Sequence, residues 1–355
     1  MESNQSKDGG RCTCTKALVH LNEMREKNLL CDSVLRLEDG GVFRVHRVIL
    51  SMHSEYFRTL FTTTLHTSEE TDILLHAVSS DMMNQILDFV YLREVDIHSD
   101  NARQLLVEAD YLCIPGVTKL CCDFLKNAMD ADNCIGILVF ARFYFFADLE
   151  THAHRFVLHN FMQVSLKSKE LLELPVEELQ AIIESEELNV KDETFVWECI
   201  LRWINHDPDN RKGHIAGLLK GVRLGLLGAK FVKKKVSKHP YVTENERCRP
   251  VISDTLTYLP DVKKLTKKHM DFVIPRFAPP RNPQDILFVI GGCRYEGFTN
   301  VIEAYDARAD RWTVVKGVDS IGAVAYHCTA VVGFDIYVIG GFGVSCVCFN
   351  AVTKK

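Results

Sequence analysis

The sequence predicts three regions of different fold class in series: an α/β module, an all-α helical array and a short all-β segment. Three observations predict this order. The first third mixes strand and helix patterns, the strand patterns stop at about Asp132, and two glycine pairs, Gly291-Gly292 and Gly340-Gly341, lie 49 residues apart. The 355 residues are 47% hydrophobic, which is enough to bury the cores of two or three domains.

The α/β module begins with a short amphipathic helix. Thr15 is a suitable cap, and the side chains of Leu18, Leu21 and Met24 share one helical face. Such a helix has little of its own to pack on. We therefore expect this face either to lie against its own domain or to be buried by a second copy of the chain.

A β-hairpin follows this helix. The turn residues Asp39-Gly40-Gly41 separate two alternating segments, which is a strong hairpin signal. One face of the two strands is predicted to carry the apolar residues Leu35, Leu37, Phe43 and Val45.

Further helices complete the module, together with a strand at "DILLHAV". Asp81 is the predicted cap of one helix, and Pro115-Gly116 ends another. Two of the helices carry apolar residues at core spacing, namely Met83, Ile86, Leu87 and Val90, and then Val117, Leu120, Cys121, Phe124 and Leu125.

The second region reads as helices joined by short loops, each with one apolar stripe, which is typical of an antiparallel helical array. Asp132-Asn133 cap "CIGILVFARFYFF", which we expect to be a buried helix, and Pro175 suits the first turn of a later one. The residues predicted to face inward are Leu149, Phe156, Phe161, Val196, Ile200 and Trp203. Leu259–Pro283 then has five prolines and six Lys or Arg against two Asp, and it is predicted to be a linker.

No pattern of a catalytic, metal or cofactor site emerges from the sequence. His152, His154 and His159 lie close enough in sequence to suggest metal ligands. On a helix, however, residues two positions apart point in different directions, which disfavours a shared metal site. The cysteine spacings include no C-x-x-C pair, and neither a G-x-S-x-G nor a G-x-x-x-x-G-K motif is present. We expect no catalytic residue, no metal and no cofactor.

Composition excludes other classes of function. The net charge of −5 and the pI of about 6.3 give no basic field for nucleic acid. The first ten residues lack an apolar signal segment, and the longest apolar stretch is too short to cross a membrane. Thirteen cysteines without a secretion signal indicate reduced thiols in a cytoplasmic or nuclear protein.

Three stretches resemble modules of known families. The segment "LLCDSVLRLEDGGVFRVHRVILSMHSEYFRTLF" resembles a BTB domain, with Asp32, His46 and Ser54–Arg58 at its characteristic places. "DNCIGILVFARFY" and "LNVKDETFVWECILRWINHD" resemble a BACK domain, and the double glycine Gly291-Gly292 followed by Tyr305 and Trp312 resembles a kelch motif, to which Gly340 and Gly341 add the start of a second. The order is similar to that of the Kelch-like family.

The resemblance implies an α/β BTB domain, an all-α BACK helical array and an incomplete all-β kelch propeller fragment of about one and a half repeats. It divides the chain into a disordered N-terminus at 1–14, BTB at 15–130, BACK at 131–259, a linker at 260–283 and partial kelch repeats at 284–355. A propeller closes with about 4–8 blades, so we expect these 355 residues not to build a closed wheel.

The family implies a non-catalytic substrate adaptor for a cullin-3 RING ubiquitin ligase. Its BTB domain would dimerise through the face of Leu18, Leu21 and Met24 and would hold cullin-3, and the kelch region would capture a protein substrate whose identity is unknown. The cullin-facing stretch would be Leu65, His66 and Thr67, in which Thr67 stands where family members often carry Glu.

Two functional readings remain open from the sequence. The first is a cullin-3 adaptor with a shortened substrate arm. The second is a non-ligase BTB scaffold that pairs with full-length Kelch-like proteins and modulates them, which the altered Thr67 favours. A transcription factor is disfavoured because no zinc fingers follow, and neither a nucleic acid nor a membrane is expected as a partner.

Overall fold

The computed structural model describes residues 13–63, 71–190, 192–265, 281, 286–295, 297–306, 311–315, 322–332, 335–342 and 346–350. The chain divides into two compact units. The first comprises Met1–Asp130 with Ile137–Ala153, and the second comprises Ala131–Gly136 with His154–Lys355.

The first unit is an α/β module around a three-stranded sheet. Its strands are β1 (Ser33–Leu37), β2 (Val42–Val45) and β3 (Thr71–Leu75), in the order β2-β1-β3. Strand β2 is antiparallel to β1 and β3 is parallel to it. Helices supply the connections and the packing partners: α1 (Thr13–Glu26), α2 (Arg47–His53), α3 (Glu55–Thr63), α4 (Ser80–Leu92), α5 (Ala102–Tyr111) and α6 (Pro115–Asn127).

The predicted hairpin is present, with Leu35 paired to Phe43 and Gly40 at a φ of +91° in the turn. Leu35, Leu37 and Val45 are buried, whereas Phe43 is only half-buried. The predicted stripe of α4 is confirmed in full, since its four apolar residues have no exposed surface. Strand β1 is the central strand of the sheet. The apolar face of α4 belongs to the core of this unit.

Three predictions in this unit need correction. Helix α1 starts at Thr13, before the predicted cap Thr15. The cap of α4 is Ser79, whose hydroxyl accepts from the Met82 amide, and Asp81 lies in the first turn. Leu120 on α6 is 41% exposed, because fewer residues of that helix face the core than its apolar residues suggest. Its inward positions are Val117, Cys121 and Leu125.

Helices α7 (Cys134–Phe143) and α8 (Ala147–His159) each have residues in both units. The expectation that the stretch from Cys134 forms a buried helix is only partly right. Cys134, Ile135, Ile137, Leu138 and Ala141 are buried, whereas Val139 in the middle of the helix, Phe143 at its end and Tyr144 and Phe145 just after it are exposed. When a helix is apolar on nearly every side, its sequence does not indicate which side faces the core. The sequence therefore predicts more buried residues in α7 than the structure contains.

The second unit continues with a helical array. Its helices are α9 (Phe161–Lys167), α10 (Glu170–Glu173), α11 (Val176–Glu184), α12 (Thr194–His206), α13 (Pro208–Arg211), α14 (Ile215–Leu218), α15 (Ala229–Phe231), α16 (Pro240–Thr243) and α17 (Arg249–Leu265), with a π-helical turn at Val232–Val236. Val196, Ile200 and Trp203 of α12 are buried as predicted, and Pro175 is the N-cap of α11.

Helix α17 ends later than the sequence predicts. It runs to Leu265, six residues into the stretch predicted to be a linker. The spacing of Leu259, Val262 and Leu265 continues the helical pattern through Pro260. Proline removes one backbone donor but does not by itself end a helix.

The remaining strands form small antiparallel sheets. The strands are β4 (Ile286–Ile290), β5 (Cys293–Arg294), β6 (Gly297–Phe298), β7 (Ile302–Asp306), β8 (Arg311–Val314), β9 (Cys328–Val332), β10 (Asp335–Ile339) and β11 (Cys346–Asn350). Two three-stranded sheets have the orders β4-β7-β8 and β11-β10-β9, and β5 pairs with β6.

These two sheets share one apolar core, to which Ile290, Ile302, Val324, Val338 and Phe349 contribute. The rings of Phe288 and Phe349 meet edge to face at 5.5 Å. Two neighbouring sheets packed in this way are consistent with a fragment of a kelch propeller, in agreement with the predicted fold class.

Candidate functional site

The first candidate site is a groove in the α/β unit, with a volume of about 810 Å³. One wall is the junction of α2 and α3, with Met52, His53 and Ser54. The other wall is the junction of α5 and α6, where Cys113 and Ile114 lie. The groove is open to solvent, and open grooves of this kind can receive a segment of another protein.

Sequence determines both junctions locally. Ser54 ends α2 and caps α3, because its hydroxyl accepts a hydrogen bond from the Phe57 amide at 3.0 Å. On the other wall, Cys113 has a φ of +51°, which turns the chain sharply between α5 and α6, and Pro115 begins the new helix.

The rim of the groove carries both signs of charge. Arg58 donates to the Glu55 carboxylate at 2.8 Å and to the Ser51 carbonyl at 3.1 Å. Lys126 donates to Asp148, and this hydrogen bond holds the pKa of that carboxyl below its ordinary value. A mixed rim around Met52 and Ile114 suits a protein surface better than a small ion of one charge.

The surroundings of His53 disfavour the protonated form of its imidazole. Burial lowers the pKa of its imidazole, and the positive charge of Arg93 lowers it further. Nη2 of Arg93 lies 3.3 Å from Nε2 of His53. A neutral Nε2 can accept this hydrogen bond, whereas a protonated ring cannot, so the contact requires the uncharged form.

The predicted cullin-facing residues Leu65, His66 and Thr67 lie outside the described residues. Helix α3, which lines the groove with Glu55 and Arg58, ends at Thr63. The predicted stretch therefore begins two positions after a groove helix.

The predicted dimer residues Leu18, Leu21 and Met24 are half-buried in the single chain. Helix α1 packs on α4 of its own unit. Its Asn22 is 6% exposed, and the guanidinium of Arg25 lies 5.2 Å from the centre of the Tyr91 ring. The helix is thus anchored by its own domain and still leaves part of its apolar face uncovered.

The two glycine pairs of the predicted kelch motifs follow β4 in one sheet and β10 in the other. Gly291, Gly292, Gly340 and Gly341 all have positive φ, and each pair directly follows a strand. A Cβ on Gly291 would lie 2.4 Å from the Val324 carbonyl oxygen, and one on Gly341 would lie 2.5 Å from that of Ala325. Glycine is therefore needed at both positions for close backbone approach.

The structure also brings the predicted aromatic pair together. Tyr305 and Trp312 are directly paired residues of β7 and β8, and their ring centres are 5.0 Å apart. Such a cross-strand pair stabilises the register of the sheet.

The three histidines singled out from the sequence lie on α8. His152 and His159 are exposed, and His154 is half-buried. In the part of the chain that the structure describes, no group of three or more His, Cys, Asp or Glu is placed to hold a metal ion. Nor is any helix of that part long and apolar enough to cross a membrane.

Sequence reasoning missed the second wall of the groove. The sequence of Pro115-Gly116 predicts the end of one helix, whereas in the structure Pro115 is the first residue of the next helix, α6. The structural signal at Cys113, a positive φ in a residue other than glycine, is not visible in the sequence.

Comparisons with known proteins agree with the order of modules. Family models match the chain as BTB/POZ domain at 21–129, as "BTB And C-terminal Kelch" (BACK) at 134–237 and as Kelch motif at 283–317. Kelch-like protein 17 of Mus musculus, Rattus norvegicus and Homo sapiens is in each case 33% identical over 306 residues.

That alignment covers 86% of this chain and 47% of each relative, so the chain spans about half the length of the curated relatives it matches. Among solved structures, the BTB domain of zebrafish PATZ1 matches 36% of this chain over its own whole length, at 23% identity and a TM-score of 0.30.

Proposed function

Since this chain is a member of the BTB–BACK–kelch (Kelch-like) family, we propose that it is a non-catalytic substrate adaptor of a cullin-3 RING ubiquitin ligase. The observation that carries the proposal is the preformed groove between the α2–α3 and α5–α6 junctions, in a unit that matches the BTB/POZ model. The groove is the surface that we assign to cullin-3.

An adaptor contributes position rather than chemistry. It would hold a lysine of the target near a ubiquitin-charged enzyme that other subunits carry, and this raises the effective concentration of the reacting groups. Members of the family are adaptors rather than enzymes, so neither a nucleophile nor a cofactor of this chain is required.

The proposal includes a dimer. The uncovered part of the face formed by Leu18, Leu21 and Met24 is the surface that we assign to a second BTB domain, either of the same chain or of another Kelch-like protein. A dimer would contain two substrate-binding regions, which would raise the avidity for a target with several binding sites.

The protein substrate is assigned to the kelch sheets. Phe298 of β6, Tyr326 just before β9 and Phe342 directly after Gly341 are exposed close to one another, and the ring centres of Tyr326 and Phe342 lie 6.1 Å and 5.6 Å from that of Phe298. Exposed aromatic side chains are frequent anchors of protein interfaces, which supports a role of this end in target binding.

A second function is favoured by one residue. Thr67 stands where the resemblance places a glutamate, and loss of that carboxylate would weaken the grip on cullin-3. The chain would then act as a BTB scaffold that pairs with full-length Kelch-like proteins and modulates them. Exposed ion pairs are worth only about 0–1 kcal/mol, so weakened binding fits the first function as well.

Co-purification from cells separates the two functions. The adaptor predicts that neddylated cullin-3 and polyubiquitinated clients are recovered together with the tagged chain. The scaffold predicts recovery of other Kelch-like proteins with no enrichment of ubiquitinated clients.

A further inference from the structure

Arg281 is buried in the second unit. Its side chain is only 2% exposed, although it belongs to the stretch that the sequence predicts to be a linker. Nε and Nη2 of its guanidinium donate to the two carboxylate oxygens of Glu193 at 2.6 Å and 3.0 Å. This two-point contact is the geometry in which arginine binds a carboxylate most strongly.

Backbone carbonyls satisfy the rest of the guanidinium. Nη1 donates to the carbonyl oxygens of Ile183 and Ser185 at 2.6 Å and 2.8 Å, and Nη2 donates to that of Gly221 at 2.9 Å. The acceptors come from the end of α11, from the residue before α12 and from the turn before Val222. One side chain therefore joins three separate segments of the helical array.

The pocket around the Arg281 guanidinium has the shape and the hydrogen-bond acceptors that this group requires. The Glu193 side chain is 3% exposed, and it also accepts a hydrogen bond from the Arg223 amide at 3.0 Å. At Gly221 an added Cβ would come within 2.8 Å of the Ile183 side chain, so this close approach of the Gly221 backbone leaves no room for a larger residue. A buried carboxylate and three inward carbonyls form an acceptor-only pocket that matches a donor-only guanidinium.

The occupant lies directly before the kelch sheets. Arg281 precedes the first residue of β4, Ile286, by five positions. At about 3.3–3.6 Å per residue, the Cα of Ile286 must lie within about 18 Å of the Cα of Arg281. The pocket thus limits where the β segment can start on the helical array.

We propose that Glu193, Gly221 and the carbonyls of Ile183 and Ser185 form an arginine-binding pocket whose occupant is Arg281, and that this contact fixes the entry of the chain into the kelch sheets. The proposal concerns the chain itself and does not rest on a role in ubiquitin transfer. Lysine is a poor substitute in such a pocket, because its single ammonium group cannot reach both carboxylate oxygens and three carbonyls in the same plane.

Trypsin tests the proposal in the full chain. It cleaves after arginine, and the bond between Arg281 and Asn282 becomes a substrate only when the guanidinium leaves the pocket. We follow by mass spectrometry the appearance of the fragment that starts at Asn282, with cleavage between Arg276 and Phe277 as the internal reference.

In the wild-type chain we expect cleavage after Arg281 to be slower than the reference by about tenfold or more, because local opening has to come first. Glu193→Gln and Arg281→Lys are each expected to accelerate this cleavage by about tenfold. The matched control is Glu187→Gln, which removes an exposed carboxylate six residues before Glu193 and is expected to change nothing.

Hydrogen exchange keeps the test decisive where a variant loses stability as a whole. In Arg281→Lys the amides from Ser185 to Leu188 and at Gly221 are expected to lose protection, while α12 stays protected. Wild-type cleavage after Arg281 as fast as after Arg276, or cleavage and exchange that neither variant changes, would overturn the proposal.

Discussion

The hydroxyl of Ser54 donates a hydrogen bond to the carbonyl oxygen of Leu112 at 2.6 Å, and both residues are buried. Ser54 is part of the α2–α3 junction and Leu112 ends α5. The same hydroxyl accepts from the Phe57 amide. One oxygen thus caps α3 and joins the two walls of the groove that we assign to cullin-3, so the groove is preformed in the free chain.

Replacement of Ser54 is expected to loosen this groove. Ser54→Ala removes the cap and leaves the buried Leu112 carbonyl without its donor, which costs about 1–3 kcal/mol. Urea unfolding should show the loss, and hydrogen-exchange mass spectrometry should show it at the start of α3. Ser99→Ala, at an exposed serine, is the control. Equal stability of the two variants would contradict a structural role for the contact.

His53 is expected to make the stability of the first unit depend on pH. Its folded-state pKa is lowered from the ordinary 6.5, by burial first and by Arg93 second. Between the folded and the unfolded pKa, the unfolded chain binds more protons, so the free energy of unfolding falls as the pH falls below about 6.5. His53→Gln removes this titration and should flatten the slope between pH 7.5 and pH 5.5 in urea unfolding. Identical slopes for both proteins would contradict the assignment.

Two buried thiols are expected to be inert. Burial raises the pKa of Cys199 and of Cys121 to about 12, so almost no thiolate forms at neutral pH. Cys328 is exposed and serves as the comparison. Peptide mapping after brief exposure of the folded chain to N-ethylmaleimide at pH 7.5 should find the label on Cys328 and not on Cys199. Labelling of Cys199 at the rate of Cys328 would show that the core of α12 is open.

The dimer is expected to depend on α1. Leu21→Asp places a charge on the half-buried apolar face and should shift the mass measured by light scattering toward that of a monomer. His20→Asp introduces the same side chain on the exposed side of this helix and should leave the mass unchanged. A dimer that persists in Leu21→Asp would move the interface elsewhere.

Periodicity predicted much of the fold, because burial of one helix face is a local pattern. Met83, Ile86, Leu87 and Val90 were identified correctly for this reason. Periodicity does not decide which of two nearby polar residues caps a helix. Ser79 rather than Asp81 caps α4, because the Ser79 hydroxyl reaches the Met82 amide.

The sites were less predictable, because they combine residues that are distant along the chain. The two walls of the groove are 58 residues apart at the Ser54–Leu112 contact. The Arg281–Glu193 pair spans 88 residues, and Arg281 looked like one more charge in a basic, proline-rich stretch. Burial of a charge depends on tertiary acceptors that no local pattern reveals.

Isothermal titration of the cullin-3 N-terminal domain into the full chain tests the central claim most directly. Met52 lines the groove and is 62% exposed, and Leu166 on α9 is 61% exposed and lies outside it. We predict saturable binding of one cullin-3 domain per protomer. Met52→Asp is expected to weaken the affinity about tenfold or more, because it places a charge at a buried position of the interface. Leu166→Asp is expected to leave the affinity unchanged. An absence of binding by the wild-type chain, or equal affinity for both variants, would contradict the account.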